Sequence, residues 1–390
     1  MILYMSAHGI NFLNALVTCL ISLAAIFASC FFFGVAAAQT DAKMVETRAV
    51  YVHPENQFST DPATGKQEIR HLVESLAQAN FNLIFPWVRS EYLAALTDTS
   101  YQQKVPIAKW DALGELVRVA HEKGMQVHLW YSFTHYKSVS SPDFDPKHGG
   151  SPEWAAKKLD ELVPNQITGQ VVPPRIEDVC PNHPEARIWE ENQIYNALGR
   201  YPLISGVTIE EPGYGSRGYC VCALCRQIFQ QAHGLELSAN LDAHQAEDLR
   251  CQGTTAFMER LQRDLNRRRL ILSTGGGYDW KNDRRLGRDW RRWAQLGWLN
   301  FYLPQIYVTQ LDEFGRRLQK TLIDLRQDCL VFPVIAAHRN TPEMVVQQIY
   351  YARQLGAPGV VLFPAKSLTY AYLTALREGP FKVPAIPKYR

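Results

Sequence analysis

A short acidic stretch in the middle of the chain, residues 202–215, holds the side chains best suited to chemistry. It begins with an apolar run rich in β-branched residues and ends in Glu210 and Glu211, followed by Pro212 and two glycines that break regular structure. This pattern is typical of a buried parallel strand that delivers carboxylates into the loop at its carboxyl end. The alternative is a strand end with two solvated acids. We favour a functional site, because such strand ends carry the chemistry of parallel barrels.

Side-chain alternation along this strand predicts which acid points inward. Successive side chains lie on opposite faces, so Thr208 and Glu210 share one face and Val207, Ile209 and Glu211 share the other. In a closed barrel, Val207 and Ile209 suit the face that packs against helices, which turns Thr208 and Glu210 inward. We therefore expect Glu210 to point up the barrel axis and Glu211 to lie at the rim.

The rest of the chain alternates strand patterns with helix patterns. Besides the acidic strand, the predicted strands are 47–52, 81–88, 125–130, 270–274, 299–308, 330–336 and 359–363. The predicted helices are 66–78, 110–123, one that begins near 182, a helical stretch over 226–268, one with Thr341 as its N-cap, and 367–377.

Eight strands alternating with helices predict an α/β fold, a (β/α)₈ TIM barrel over residues 45–382 with a long loop at about 134–180. An open doubly wound sheet is the structural alternative. Its dinucleotide-binding form is disfavoured, because no Gly-x-Gly-x-x-Gly turn follows the first strand.

The N-terminal 38 residues predict export. Residues 1–38 contain no Lys, Arg, Asp or Glu, and residues 12–35 are almost continuously apolar. Three alanines at 36–38 offer a small-residue cleavage site, which is typical of a signal peptide. The apolar run is also long enough to act as an uncleaved membrane anchor. We predict a periplasmic or secreted protein that meets a membrane only through this segment. Its formal net charge of +3 gives no indication of nucleic-acid binding.

Four cysteines have the spacing of a metal site. Cys220, Cys222 and Cys225 form a Cys-x-Cys-x-x-Cys pattern after the acidic strand, and Cys180 precedes it in the loop of the previous strand. Loops that follow neighbouring barrel strands lie side by side, so the four thiols could converge. They would then form either a structural zinc site or two disulfides, which suit an exported protein. Two further cysteines, 251 and 329, are expected to be buried or unpaired.

Stretches over most of the chain after residue 44 carry a family resemblance. They are Arg48-Ala-Val-Tyr-Val52, Asn82-Leu-Ile-Phe-Pro-Trp-Val-Arg89, Ala120-His-Glu-Lys-Gly-Met-Gln-Val-His-Leu-Trp130, Ser151-Pro-Glu-Trp154, Asn182-His-Pro-Glu-Ala-Arg187, Ile204-Ser-Gly-Val-Thr-Ile-Glu-Glu211, Leu303-Pro-Gln-Ile-Tyr307 and Gly359-Val-Val-Leu-Phe-Pro-Ala-Lys-Ser-Leu368. In this order they resemble bacterial glycosyl hydrolase-like family 10, a group of (β/α)₈ proteins proposed to act on glycans.

The resemblance implies an exported glycoside hydrolase that acts on a polysaccharide, with cell-wall glycan as one candidate, and that needs no cofactor for catalysis. The family's fourth strand usually reads Asp-Gly followed by an Asp-Asp or Asp-Glu pair. Here Ser205 stands in place of the first Asp, and Glu210 and Glu211 stand in place of the pair. Because a Glu side chain reaches farther than an Asp side chain, a second class stays open: a catalytically inactive glycan-binding barrel.

Glycoside hydrolysis needs two carboxyl groups that flank the scissile bond. Glu210 ranks first. Asp279 ranks second, because the partner in barrel glycosidases often comes from a strand beyond the fourth; an ordinary turn residue is its alternative. Glu211 ranks third, because neighbours on a strand diverge unless the loop turns at once.

Five further residues at or near strand ends suit hydroxyl recognition, sugar stacking and tuning of carboxyl pKa values. These predicted substrate-binding residues are Arg89, His128, Trp130, Gln305 and Tyr307. Each has an ordinary packed position in the barrel as its alternative, His128 above all. The chain's nine Trp and eighteen Tyr residues fit a sugar-stacking surface and an aromatic-rich core equally well.

Overall fold

Parallel strands in the computed structural model close into a barrel, as the strand and helix patterns predict. The structure describes residues 44–88, 110–133, 151–159 and 179–389. The N-terminal segment 1–38, Arg89 and most of the predicted loop at 134–180 lie outside the described residues. The strands are β1 (Met44–Val45), β2 (Thr47–Val52), β3 (Leu83–Val88), β4 (Gln126–Ser132), β5 (Gly206–Glu210), β6 (Ile271–Gly276), β7 (Phe301–Ile306), β8 (Leu330–Val331), β9 (Val334–Ala336), β10 (Gly359–Phe363) and β11 (Ala385–Ile386).

The barrel has eight strand positions, from β2 to β10, and closes where β10 pairs in parallel with β2. The seventh position is divided between β8 and β9, which both pair with β7. Sequence patterning predicts one continuous strand over 330–336, but Pro333 lies within it. Since proline has no N–H to donate to a strand ladder, the seventh strand is interrupted there.

Helices surround the barrel. In chain order they are α1 (Pro54–Gln57), α2 (Pro62–Gln78), α3 (Ala112–Glu122), α4 (Pro184–Arg200), α5 (Ala223–His233), α6 (His244–Arg267), α7 (Trp280–Arg284), α8 (Trp290–Gln295), α9 (Leu311–Leu325), α10 (Pro342–Gln354) and α11 (Tyr370–Glu378). The helical stretch predicted over 226–268 is two helices, because Gly234 adopts a left-handed φ of 67° and ends α5. No helix in the described ranges is both long enough and apolar enough to cross a bilayer.

The two faces of β5 are as alternation predicts. Val207 and Ile209 are fully buried in the large apolar core that the barrel strands share with the helices. Thr208 lies inside the barrel, where its hydroxyl oxygen is 2.7 Å from that of Ser273 on β6. Glu210 follows Thr208 on the same face, so the strand aims its last carboxyl into the barrel mouth.

The C-terminal tail closes the opposite end of the barrel and extends the domain past the predicted boundary at residue 382. Strand β11 pairs in parallel with β1, and Arg48 at the start of the barrel donates to the Val383 carbonyl at 2.7 Å. The Tyr389 ring packs against His128 and Phe301 in the barrel interior, with ring centroids 5.1 and 6.0 Å apart. This seal leaves the carboxyl ends of the strands as the accessible mouth.

Candidate active site

Glu210 is the central acid of the barrel mouth. One of its carboxylate oxygens accepts a hydrogen bond from Trp130 Nε1 at 2.5 Å, and the other accepts one from Gln305 Nε2 at 2.7 Å. Gly275 on the next strand leaves the necessary room, because a Cβ there would lie only 3.0 Å from the Glu210 carboxylate. The structure thus brings three of the predicted site residues together, with Trp130 and Gln305 fixing the orientation of Glu210.

The electrostatic surroundings make Glu210 a weak acid. Burial raises the pKa of the Glu210 carboxyl from 4.5 to about 7, and the neighbouring charge of Glu211 contributes in the same direction. The hydrogen bonds from Trp130 and Gln305 and the charge of Arg288 lower it, but burial outweighs them. A carboxyl with a pKa near 7 exchanges its proton readily at neutral pH, which is what general acid catalysis requires.

The chain turns sharply at Glu211, directly after the last residue of β5. The φ of Glu211 is +38°, in the left-handed region that non-glycine residues seldom adopt. Neighbouring side chains on a strand point in opposite directions unless the chain turns directly afterwards, and here it does turn. The Glu211 carboxylate forms an ion pair with Arg288 at 3.3 Å.

Arg288 is a residue that sequence analysis missed, and it joins the loops after β5 and β6. It is buried, and it lies 3.6 Å from Asp283 as well as 3.3 Å from Glu211. Asp283 is in turn held by the backbone N–H of Gly277 at 2.7 Å and by Trp290 Nε1 at 2.8 Å. The pKa of Asp283 is raised, chiefly by burial. We assign Asp283 to anchoring of Arg288 and its loop.

Asp279, the acid ranked second from sequence, has a structural position. It is the N-cap of α7, where its carboxylate accepts a hydrogen bond from the backbone N–H of Lys281. The same carboxylate lies 3.7 Å from Lys320 Nζ on α9. In the described part of the chain, Asp279 therefore has the contacts of the turn residue that was its alternative.

Aromatic rings form the wall around the two acids. His53, Trp87 and Trp130 pack together, with ring centroids 5.1 Å apart for His53 and Trp130 and 6.1 Å for Trp87 and Trp130. On another side, Tyr307 stacks on Phe363 with centroids 5.6 Å apart. All of these rings except Trp130 are partly exposed, so they offer faces on which a sugar can stack.

Tyr51 contributes a free hydrogen-bonding group beneath this wall. Its ring lies 4.2 Å from Trp130, centroid to centroid. The Tyr51 hydroxyl is buried and has no hydrogen-bond partner among the described residues. Burial, and then the charge of Glu210, raise the pKa of this hydroxyl well above its usual value, so it remains a donor. A buried hydroxyl without a partner is costly.

His128 lies deeper in the barrel than the predicted substrate contact would require. It is fully buried on β4, two residues before Trp130, and packs against Phe85, Phe301 and Tyr389. Burial lowers the pKa of His128 to about 3, so the ring is neutral. This is the packed barrel position that sequence analysis gave as the alternative, out of reach of a substrate in the mouth.

Three wall residues that sequence analysis missed lie at inward positions of their strands, as the side-chain alternation that identified Glu210 would predict. Tyr51 and His53 continue the inward face of β2, and Trp87 lies on the inward face of β3. Alternation at these strand ends is therefore the sequence signal for all three rings. The signal for Arg288 is weaker, because it lies in an irregular loop.

The four predicted cysteines converge beside this site. The Sγ atoms of Cys180, Cys220, Cys222 and Cys225 all lie within 4.8 Å of one another, and all four side chains are buried. Cys180 Sγ is 3.5 Å from Cys225 Sγ and 3.8 Å from Cys222 Sγ. The thiols are free, as are Cys251 and Cys329 elsewhere in the described chain.

In a comparison with protein families, the family model described as glycosyl hydrolase-like 10 matches residues 46–333. This range contains Glu210, Glu211, Asp283, Arg288 and the four cysteines of the cluster. Comparison with curated protein sequences finds no match.

Solved structures of glycoside hydrolases share the barrel. The glycoside hydrolase domain of PgaB (BpsB) from Bordetella bronchiseptica is similar with a TM-score of 0.62 and 14% identity, over 85% of this chain and 98% of that chain. α-L-Fucosidase isoenzyme 2 from Paenibacillus thiaminolyticus has a TM-score of 0.56 and 16% identity, over 85% and 48%. The catalytic domain of β-amylase from Paenibacillus polymyxa has a TM-score of 0.52 and 10% identity, over 86% and 98%. At these identities, the likeness shows the fold.

Proposed function

Because the chain belongs to the glycosyl hydrolase-like 10 family, we propose that it hydrolyses glycosidic bonds in a polysaccharide. The observation that carries this proposal is Glu210, an inward carboxyl in the barrel mouth whose pKa is raised to about 7 beside a second carboxylate, Glu211. Two carboxyl groups in different electrostatic surroundings are what acid-assisted cleavage of a glycosidic bond requires.

In this mechanism Glu210 is the general acid. As the bond between the sugar carbon and the leaving oxygen breaks, the bond electrons go to that oxygen, which takes the proton of Glu210. Trp130 and Gln305 donate hydrogen bonds to the carboxylate that remains. Glu211 takes the role of the second carboxyl group, either as the nucleophile or as the base that activates water for attack on the sugar carbon. Carboxyl groups and water supply the whole reaction.

The walls of the mouth favour a carbohydrate substrate. Trp87, Tyr307 and Phe363 are partly exposed aromatic rings, and such rings stack on the apolar faces of sugars. The apolar N-terminal segment supports action outside the cytoplasm, on cell-wall glycan or another polysaccharide.

A glycan-binding barrel without activity is the second candidate. It is favoured by one observation: both oxygens of Glu210 are already hydrogen-bonded, to Trp130 and Gln305, so the acid could serve to hold the wall together. Such a protein would bind the same glycans and leave them intact.

The test compares the wild type with Glu210→Gln on a panel of peptidoglycan strands and other polysaccharides. Release of new reducing ends measures hydrolysis, and affinity electrophoresis measures binding. We expect the wild type to cleave at least one glycan and Glu210→Gln to lose about a hundredfold to ten-thousandfold in rate, the usual contribution of a general acid, while binding persists.

Glu378→Gln is the matched control, because this acid is exposed at the end of α11, on the far side of the barrel from the mouth. It should cleave at the wild-type rate. Glu210→Gln with undiminished hydrolysis would remove Glu210 from the mechanism. A wild type that binds glycans from the panel and cleaves none would favour the glycan-binding barrel.

A further inference from the structure

The cysteine cluster of Cys180, Cys220, Cys222 and Cys225 has the dimensions of a tetrahedral metal centre. A zinc–sulfur bond of about 2.3 Å places the four sulfurs of a tetrahedral site about 3.8 Å apart. The Cys180 sulfur is 3.8 Å from that of Cys222 and 3.5 Å from that of Cys225, and all four sulfurs lie within 4.8 Å of one another. A cation at their centre can therefore reach every sulfur with little rearrangement.

Each sulfur also has a hydrogen-bond donor beside it. The backbone N–H of Lys157 donates to Cys220 Sγ at 3.5 Å, and that of Cys225 donates to Cys222 Sγ at 3.5 Å. The Asn182 side-chain amide donates to Cys225 Sγ at 3.3 Å, and the Tyr214 hydroxyl lies 3.5 Å from Cys180 Sγ. Donors around every ligand atom stabilise metal-bound thiolates, which carry negative charge.

The local secondary structure favours thiolates in the same way. Cys222 is the N-cap of α5, and Cys225 lies in its first turn. The unpaired N–H groups and the positive dipole at a helix N-terminus stabilise negative charge on a sulfur there. Such an arrangement suits ligands that must lose their protons to bind a metal.

We propose that these four cysteines bind one zinc ion as a closed structural site. Four thiolates in tetrahedral array are the ligand set that selects zinc or iron, and a site with no open position is structural. Disulfides are the competing arrangement, but a disulfide joins two particular sulfurs. Here Cys180 faces both Cys222 and Cys225 at similar distances, so the geometry singles out no pair.

The zinc would join two loops next to the acidic site. Cys180 precedes α4, and the other three cysteines follow β5, which carries Glu210. Tyr214 extends the connection: its hydroxyl contacts Cys180, and its carbonyl accepts a hydrogen bond from Arg288 at 3.4 Å. Since Arg288 pairs with Glu211, the metal would help to hold Glu211 in place through Tyr214 and Arg288. The proposal is independent of whether the barrel cleaves glycans.

The first measurement uses the full chain, purified without added metal. Elemental analysis and native mass spectrometry should find one zinc ion per chain. Peptide mapping without reductant should find the four cysteines as thiols that a chelator exposes to alkylation. Two disulfides among these cysteines would overturn the proposal. So would four thiols that react freely without chelator, or one bound iron in place of zinc.

Variants separate the cluster from cysteines elsewhere. Cys180→Ser and Cys222→Ser should each lose the zinc, whereas Cys329→Ser, which changes a half-buried thiol outside the cluster, should retain it. If the cluster variants fail to fold, titration of the wild type with a mercurial reagent still decides, because zinc should be released as these four thiols react. Zinc retained in both folded cluster variants would show that it binds elsewhere.

Discussion

Replacing Glu210 by Gln should stabilise the protein at alkaline pH and not at acid pH. The Gln side chain keeps the shape of Glu but cannot ionise. Its carbonyl oxygen can accept the hydrogen bond from Trp130, and its NH₂ group can donate to Gln305 once that amide rotates to present its oxygen. The substitution therefore removes a buried charge while the packing of the barrel mouth is preserved.

The magnitude follows from the pKa of Glu210. Burial raises this pKa from 4.5 to about 7 in the folded protein, and at about 1.4 kcal/mol per pKa unit this difference corresponds to about 3 kcal/mol. Between pH 4.5 and about pH 7, the Glu210 carboxyl holds its proton in the folded state and has lost it in the unfolded state. The wild type therefore loses stability as pH rises through this window and remains lower above it. Glu210→Gln has no such loss.

The assay is urea unfolding of both proteins at about pH 5 and about pH 8, with the difference in unfolding free energy taken at each pH. Taking the difference matters because burial lowers the pKa values of His53 and His128 to about 4 and about 3, which makes both proteins more stable as pH rises. That contribution cancels between the two proteins. The stability of Glu210→Gln relative to wild type should increase by about 2.5 kcal/mol from the lower to the higher pH, because part of the wild type's loss is already present at pH 5.

Glu378→Gln supplies the baseline, because it removes an exposed carboxyl and should show no such change. The reasoning about Glu210 fails if its variant differs from wild type by the same free energy at both pH values. That result would mean that water or nearby charges solvate the carboxylate as well as bulk solvent does, and the assignment of Glu210 as a general acid would lose its basis.

Two further predictions concern the pH dependence of catalysis and the packing under the site. The kcat/KM for a cleaved glycan should fall as pH rises through about 7, because Glu210 must be protonated to act. Trp130→Phe removes a hydrogen bond that lowers the Glu210 pKa, so it should move this fall to higher pH; a pH profile unchanged in Trp130→Phe would contradict the assignment. Gly206→Ala should destabilise the barrel by about 1–3 kcal/mol, because the new Cβ would lie 2.8 Å from the fully buried His128 ring. Gly199→Ala should instead stabilise the protein by about 0.5–1 kcal/mol, because Gly199 lies in α4 with open space around it. Equal effects in thermal unfolding would contradict this reading of the packing.

The sequence predicts the features that depend on periodicity and local chain geometry. Alternation along β5 assigns Val207 and Ile209 to the helix-facing core and Thr208 to the interior, and the structure agrees. The N-cap at Thr341 is also confirmed, because its side chain accepts a hydrogen bond from the Met344 N–H at 3.3 Å. These features depend only on the chemistry of neighbouring residues, which is why they can be predicted from a single sequence.

The features that escaped prediction depend on a single backbone angle or on contacts between distant loops. The rank of Glu211 behind Asp279 assumed that the strand end continues straight, whereas a φ of +38° at Glu211 turns the chain. Nothing in the residue type signals this turn, since Glu seldom adopts such a φ. Arg288 likewise becomes a site residue only because the loops after β5 and β6 pack together, where the Tyr214 N–H donates to the Leu286 carbonyl at 2.8 Å.

The cysteine cluster shows why some long-range features are nevertheless predictable. Cys180 is separated from Cys220, Cys222 and Cys225 by a whole helix and strand, yet the sequence places them together because β4 and β5 are adjacent and parallel. In a parallel barrel, the loops after adjacent strands emerge at the same end. Residues in these loops therefore lie close together in space although they are far apart in the sequence. Arg288 and Glu211 lie on adjacent loops in the same sense. The difference is chemical: a thiol pattern with close spacing has few uses, whereas an arginine in a loop has many. Topology therefore identifies a site only where the residue type already restricts what it can do.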